Sequence, residues 1–224
     1  MGKSDKPETK ELSRSALRRQ REKEQRCMSL LEAAEKLIVK NGYHKTSVGQ
    51  IADLAEVSVG TVYFYFKNKE ELLIRLFEEG VKTLRLVLGG AFSKEKSPLQ
   101  GFEKAGLAFF DDFCVNHRAK FTILFKEALG LGAEMENQRK ELLELLISDV
   151  QTALITVGSE RNFSYRSEQT ARVVTVGILG IYERVAYQYI MWQDDTKAPN
   201  LQEIGKDAVA FIMGGVNSLQ HGVE

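Results

Sequence analysis

The sequence predicts an all-α fold of about nine helices, and three observations predict it. Only three prolines occur in 224 residues. Runs that alternate Val or Ile with polar residues are scarce. Apolar residues recur instead at the i, i+3, i+4 spacing of a helix with one buried face. Hydrophobic residues at 43% and charged residues at 28% are ordinary for a globular chain.

Residues 1–12 are polar and are expected to be disordered. A first helix is read from Arg14, with Met28, Leu31, Ala34, Leu37 and Ile38 on one apolar stripe, and Asn41-Gly42 ends it. Ser47 with Gln50 fits a capping box at the start of a second helix, whose buried side is Ile51, Ala52, Leu54 and Ala55. Glu56-Val57-Ser58 forms a turn, and Ser58 caps a third helix to about Phe64. Asn68 and Glu71 open a fourth, which carries Leu72, Leu73, Leu76, Phe77, Val81 and Leu84 to Gly89-Gly90. Ser97-Pro98 starts the next, running to about Asn116. Further helices are expected over about 118–130, 134–157, 167–192 and 200–219, with breaks at Gly130-Leu131-Gly132, at 158–166 and at 194–199. No uninterrupted apolar run reaches the ~18 residues of a membrane span, and the charged N-terminus does not read as a secretory signal. Cys27 and Cys114 form no CxxC pair and read as reduced thiols of a cytoplasmic protein.

Net charge is zero, but it is unevenly distributed. Residues 1–69 carry fourteen Lys and Arg against nine Asp and Glu, and the remainder carries the opposite excess. A basic front suits a nucleic-acid-facing module. Catalytic and metal readings find no support. His44, His117 and His221 lack ligand spacing, and no GxSxG, GxxxxGK or GxGxxG is present.

The informative stretch is Thr46 to Lys69, TSVGQIADLAEVSVGTVYFYFKNK. Two short helices joined by a tight turn describe a helix-turn-helix, whose second helix enters the major groove. Gly60, Thr61, Tyr63 and Tyr65 are expected to face DNA, alternating with buried Val62, Phe64 and Phe66. Ser58 and Val59 open that helix and belong to the same interface. Val59 or Thr61 suits a thymine methyl. Tyrosine hydroxyls suit phosphates, as do Lys67 and Lys69 beside the N-terminus of the fourth helix.

These residues resemble the DNA-binding domain of the tetracycline-repressor (TetR/AcrR) family. The matching string is Gly42-Tyr43, Thr46-Ser47-Val48, Ile51-Ala52, Val57-Ser58, Gly60-Thr61-Val62-Tyr63, Tyr65-Phe66 and Lys69-Glu70-Glu71-Leu72-Leu73. The resemblance implies that Thr46, Ser47, Gly60, Thr61, Tyr63, Tyr65 and Lys69 contact a palindromic DNA operator. It also implies a homodimer formed through the last two helices, and a pocket in the middle helices whose small-molecule effector releases a repressor from DNA. The expected organisation is a basic extension over 1–23, the helix-turn-helix domain over 24–70, and a ligand-binding and dimerisation domain over 71–224.

No cofactor is expected. The aromatic C-terminal part suggests an apolar or aromatic effector held by Phe109, Phe113, Phe121, Phe125, Tyr182 and Tyr189, with Glu183, Arg184, Asn116 or His117 orienting it. The long basic lead (Arg14, Arg18, Arg19, Arg21, Lys23, Arg26) is unusual beside the family pattern and suggests a further DNA contact; a solvated helix face is the plainer alternative. A helical adaptor with a vestigial helix-turn-helix is the rival functional class.

Overall fold

The structure is a computed structural model and describes residues 14–127, 132–192 and 200–218. The polar lead over 1–12, Gly130-Leu131, the turn at 194–199 and His221 lie outside the described residues. Among the described residues there are nine helices and no strand. They are α1 (Arg14–Asn41), α2 (Val48–Leu54), α3 (Val59–Tyr65) and α4 (Lys69–Phe92). Helix α5 begins as Pro98–Ala108 and passes through a π-helical turn, Phe109–Phe113, into Cys114–Asn116. Helix α6 likewise joins Arg118–Thr122 to a π turn, Ile123–Glu127. The chain closes with α7 (Ala133–Glu160), α8 (Glu168–Met191) and α9 (Leu201–Ser218).

Two apolar cores organise these helices. The first gathers Leu30, Ala34 and Ile38 of α1, Ile51 and Ala52 of α2, Val62 and Phe66 around α3, and Leu72, Leu73 and Leu76 of α4. Ile123 and Met135 reach into it from later in the chain. The second is built from the far half of α4 together with α5 to α9, around Phe109, Phe110, Phe113, Phe121 and Tyr182. Helix α4 crosses from one core to the other.

Several expectations need correcting. Met28 is exposed, on the side of α1 away from Cys27 and Leu30, and Leu30 is the first residue of the helix to be fully buried. Leu54 is also exposed, since the seven-residue α2 turns only the Ile51-Ala52 side inward. Helix α4 does not stop at Gly89-Gly90 but continues to Phe92. Glycine in a helix costs only ~1 kcal/mol against alanine, and Leu88 and Phe92 pack against the second core on either side of the pair. By length and composition α7 is apolar enough to cross a membrane. A search for unbroken apolar runs overlooks it, because isolated charges interrupt the stretch. In this fold Leu143, Leu146 and Val150 of α7 face an internal cavity.

Candidate nucleic-acid interface and ligand cavity

The helix-turn-helix is set by local capping. Ser47 Oγ accepts the Gln50 N–H at 3.2 Å, and Gln50 Oε1 accepts the Ser47 N–H at 2.9 Å. Two of the otherwise unpaired donors at the α2 N-terminus are thus satisfied. Glu56 takes a left-handed φ of 53° to turn the chain. Ser58 then caps α3: its Oγ accepts the Thr61 N–H at 3.1 Å and lies 2.9 Å from Thr61 Oγ1. Asn68 Oδ1 accepts the Glu71 N–H at 2.7 Å and starts α4. Glu71 in turn accepts the N–H of Lys67.

Helix α3 rises from this frame with Val62 and Phe66 buried. Its outer side carries Val59, Gly60, Tyr63 and Phe64, all exposed, and Tyr65 is half-buried. The expected burial of Phe64 is therefore wrong; it is 72% exposed. Residues 59–65 are helical, so inward positions recur every three to four residues and not every second one. Phe64 joins Tyr63 on the outer side, and its ring meets Tyr65 edge-on at 5.2 Å.

Two expected DNA contacts face inward. Thr46 is buried and its hydroxyl donates to Gly42 O at 2.9 Å, closing the turn after α1. Lys69 sends its Nζ to the carbonyls of Tyr43 at 3.0 Å and Thr46 at 3.1 Å, and sits 4.1 Å from the centre of the Tyr43 ring. It clamps the α1–α2 loop with two of its three N–H donors. Ser47, Ser58, Val59, Gly60, Tyr63 and Lys67 remain on the exposed side, and Thr61 is half-buried at its margin.

A cavity of about 530 Å³ lies between α4, α5, α7 and α8, with Phe125 of α6 at its wall. Its lining is mostly apolar. Of the aromatics expected there, Phe109, Phe125 and Tyr182 line it. Phe113 and Phe121 do not; both are fully buried in the core beside it. Tyr189 is half-buried and away from it. The π turns explain this sorting: each rotates the helix relative to α-helical register, so aromatics of one run face different ways. The rings of Phe109 and Tyr182 stack at 5.9 Å, and burial pushes the Tyr182 hydroxyl well above its usual pKa.

The polar groups of the lining differ from those expected. Glu183 is present, its carboxyl raised by desolvation against the opposing pull of Arg139 and Arg184. Arg184 instead stacks on Trp192 at 4.2 Å, and Asn116 donates to Asp112. His117 lies 4.0 Å from Asp112, away from this cavity. Sequence reasoning missed Arg85, Arg139 and Asp149. Arg85 grips Asp149 through Nε at 2.6 Å and Nη2 at 3.2 Å, and Arg139 is held by Glu136 at 2.6 Å. Arg85 and Asp149 lie on different helices, α4 and α7, so no short motif announces that pair, whereas Glu136 and Arg139 are an i,i+3 pair within α7.

Helix α6 joins the cavity to the helix-turn-helix. Phe125 lines the cavity, while Ile123 is fully buried in the first core. Two residues beyond Phe125, Glu127 Oε2 accepts the backbone N–H of Tyr43 at 2.8 Å. Lys120 adds an ion pair to Glu35 of α1 at 3.1 Å.

Residues 30–76 match the family described as "Bacterial regulatory proteins, tetR family". The chain is 48% identical over 59 residues to the fatty acid metabolism regulator protein of Bacillus subtilis, a stretch covering 26% of this chain and 30% of that one. It spans between 30% and 62% of the length of three such curated relatives. Two solved structures share the fold. FadR from Bacillus halodurans superposes with a TM-score of 0.73 at 24% identity, over 85% of this chain and 95% of that one. FadR from Bacillus subtilis in complex with stearoyl-CoA also reaches 0.73, at 22% identity over 84% and 98%. Residues 30–76, which build most of the first core, thus carry the sequence of the tetR family of bacterial regulatory proteins, and nearly all the described helices share the fold of these solved structures.

Proposed function

We propose that the chain is a dimeric, cytoplasmic transcriptional regulator that binds a palindromic operator through α3 and releases it when a small molecule fills the cavity. The observation that carries this reading is α6, which touches the cavity with Phe125 and the α1–α2 loop with Glu127. A ligand that displaces the cavity wall acts on the same helix that holds the DNA-reading unit. Ligand and DNA then compete through their different preferences for two arrangements of α6.

Dimerisation is supported by two unpartnered stripes. On α8, Val173, Val176, Gly177 and Gly180 share one exposed side, with Val176 and Gly180 also at the cavity wall; on α9, Phe211, Gly214 and Gly215 share another. A Cβ added at any of these glycines meets nothing within 4 Å, so they leave room for a partner helix to approach closely. The interface residues on the DNA side are Ser47, Ser58, Val59, Gly60, Thr61, Tyr63, Phe64 and Lys67.

The effector we favour is an acyl-coenzyme A. The cavity falls within the roughly 300–1,000 Å³ range of small-molecule sites, its walls suit an alkyl chain, and the FadR of Bacillus subtilis was solved with stearoyl-CoA. Because Arg85 and Arg139 are already paired, a phosphate-bearing head competes with Asp149 and Glu136 for them. The test is selection of bound sequences from a random duplex pool, followed by titration of the selected site with stearoyl-CoA and with free coenzyme A. A palindromic consensus released by the acyl form alone is expected. No enrichment from a folded dimer that has been refolded free of ligand overturns the regulator reading in favour of a helical adaptor.

A further inference from the structure

The basic lead of α1 is helical through Arg14 and almost wholly exposed until Leu30. At the rise of an α-helix Arg14 stands roughly 24 Å from Leu30, the first fully buried residue. Its charges fall on two sides. Arg19, Lys23 and Arg26 follow the i, i+4, i+7 spacing of one side, the side that continues into the core stripe at Leu30 and Ala34. Arg14, Arg18 and Arg21 repeat the same spacing on the opposite side. The opposite side is partly neutralised: Arg18 pairs with Glu22 at 2.8 Å.

The first side also meets the recognition helix. Lys23 Nζ lies 5.8 Å from the centre of the Phe64 ring. Arg19, Lys23, Phe64 and Tyr63 therefore form one continuous exposed surface running from the helical lead onto α3. We propose that Arg19, Lys23 and Arg26 form a second phosphate-contacting stripe, which binds the duplex backbone flanking the site read by α3. The occupant is double-stranded DNA because the stripe is cationic and continuous with the α3 surface. This inference rests on the DNA-binding reading above.

The two sides supply their own control. One variant carries Arg19→Gln, Lys23→Gln and Arg26→Gln; the other carries Arg14→Gln, Arg18→Gln and Arg21→Gln. All six side chains are exposed, so helix content and melting temperature should match the unsubstituted protein. Binding is measured by fluorescence anisotropy across a salt series. The probes are the selected site with about one helical turn of flanking duplex on each side, and the same site without flanks.

Each phosphate contact contributes about 0.9 to the slope of log K against log salt. The first variant should lose about 2.7 per protomer on the flanked duplex, and removing the flanks should bring the unsubstituted protein down to its level. The second variant should keep most of its slope. Equal losses from both variants would show diffuse attraction and overturn the stripe, as would an unchanged slope in the first. If the unsubstituted protein shows no salt-dependent binding to either duplex, the DNA-binding reading falls and the stripe falls with it.

Discussion

Replacing Glu127 by alanine tests how firmly the helix-turn-helix is tied to the helices around the cavity. The Glu127 side chain is only 9% exposed, and its Oε2 takes the Tyr43 N–H at 2.8 Å. A hydrogen bond to a charged acceptor contributes about 1.5–3 kcal/mol, and little solvent is present here to weaken it. Taking about 2 kcal/mol, the constant for local opening of the 42–46 loop rises roughly 30-fold at 1.36 kcal/mol per decade. Hydrogen exchange followed by mass spectrometry reads this directly on peptides containing Tyr43. Faster exchange should be confined to that loop and the adjoining ends of α1 and α2. Glu127→Gln retains an acceptor oxygen and should show a much smaller effect. Unchanged exchange in Glu127→Ala would show that the contact does not hold the loop. A uniform increase along the whole chain would show global loss of stability instead, and either result would refute the coupling through α6.

Three other perturbations are open to the same scrutiny. Lys69→Met removes two hydrogen bonds to the α1–α2 loop; it should lower the melting temperature while leaving the salt slope of DNA binding unchanged, whereas a phosphate contact would show the reverse. Gly205→Ala places a Cβ 2.7 Å from Phe110 Cβ; such overpacking costs about 2 kcal/mol, or roughly 4–8 °C for a chain of this size, as calorimetry would detect. Burial raises the Asp111 carboxyl above its ordinary 3.8, against the pull of Lys206 and Lys104. The folded state therefore favours the protonated form, and a penalty develops as pH climbs through and beyond that ordinary value. Asp111→Asn should melt higher than the unsubstituted protein at pH 7, with the difference closing toward pH 3.

Local features were legible in the sequence because their causes are local. The caps at Ser47, Ser58 and Asn68 each involve backbone within four residues, and all three form as read. Phe64 was misread through an alternation proper to strands, applied to a helix. The inward contacts of Thr46 and Lys69 are hidden from the sequence for another reason. Lys69 meets Tyr43 across 26 residues of chain, and nothing in a short window distinguishes a lysine that clamps a loop from one that reaches a phosphate. The cavity was harder still. Arg85 and Asp149 are 64 residues apart, and the choice among Phe109, Phe113, Phe121 and Phe125 depends on π turns that hydrophobic periodicity does not encode.

Helix α4 gives Leu72, Leu73 and Leu76 to one core and Phe77, Val81 and Leu84 to the other. Neither core is complete without it, and Leu76 and Phe77 are neighbours in the chain. The two halves should therefore melt as one cooperative unit, with a single calorimetric transition and a denaturant slope set by the surface of the whole protein. A fragment cut after Lys69 would leave Ile51, Val62 and Phe66 without the leucines that cover them. It is expected to be unfolded or aggregated when expressed alone, and the helix-turn-helix is best produced with the rest of the chain attached.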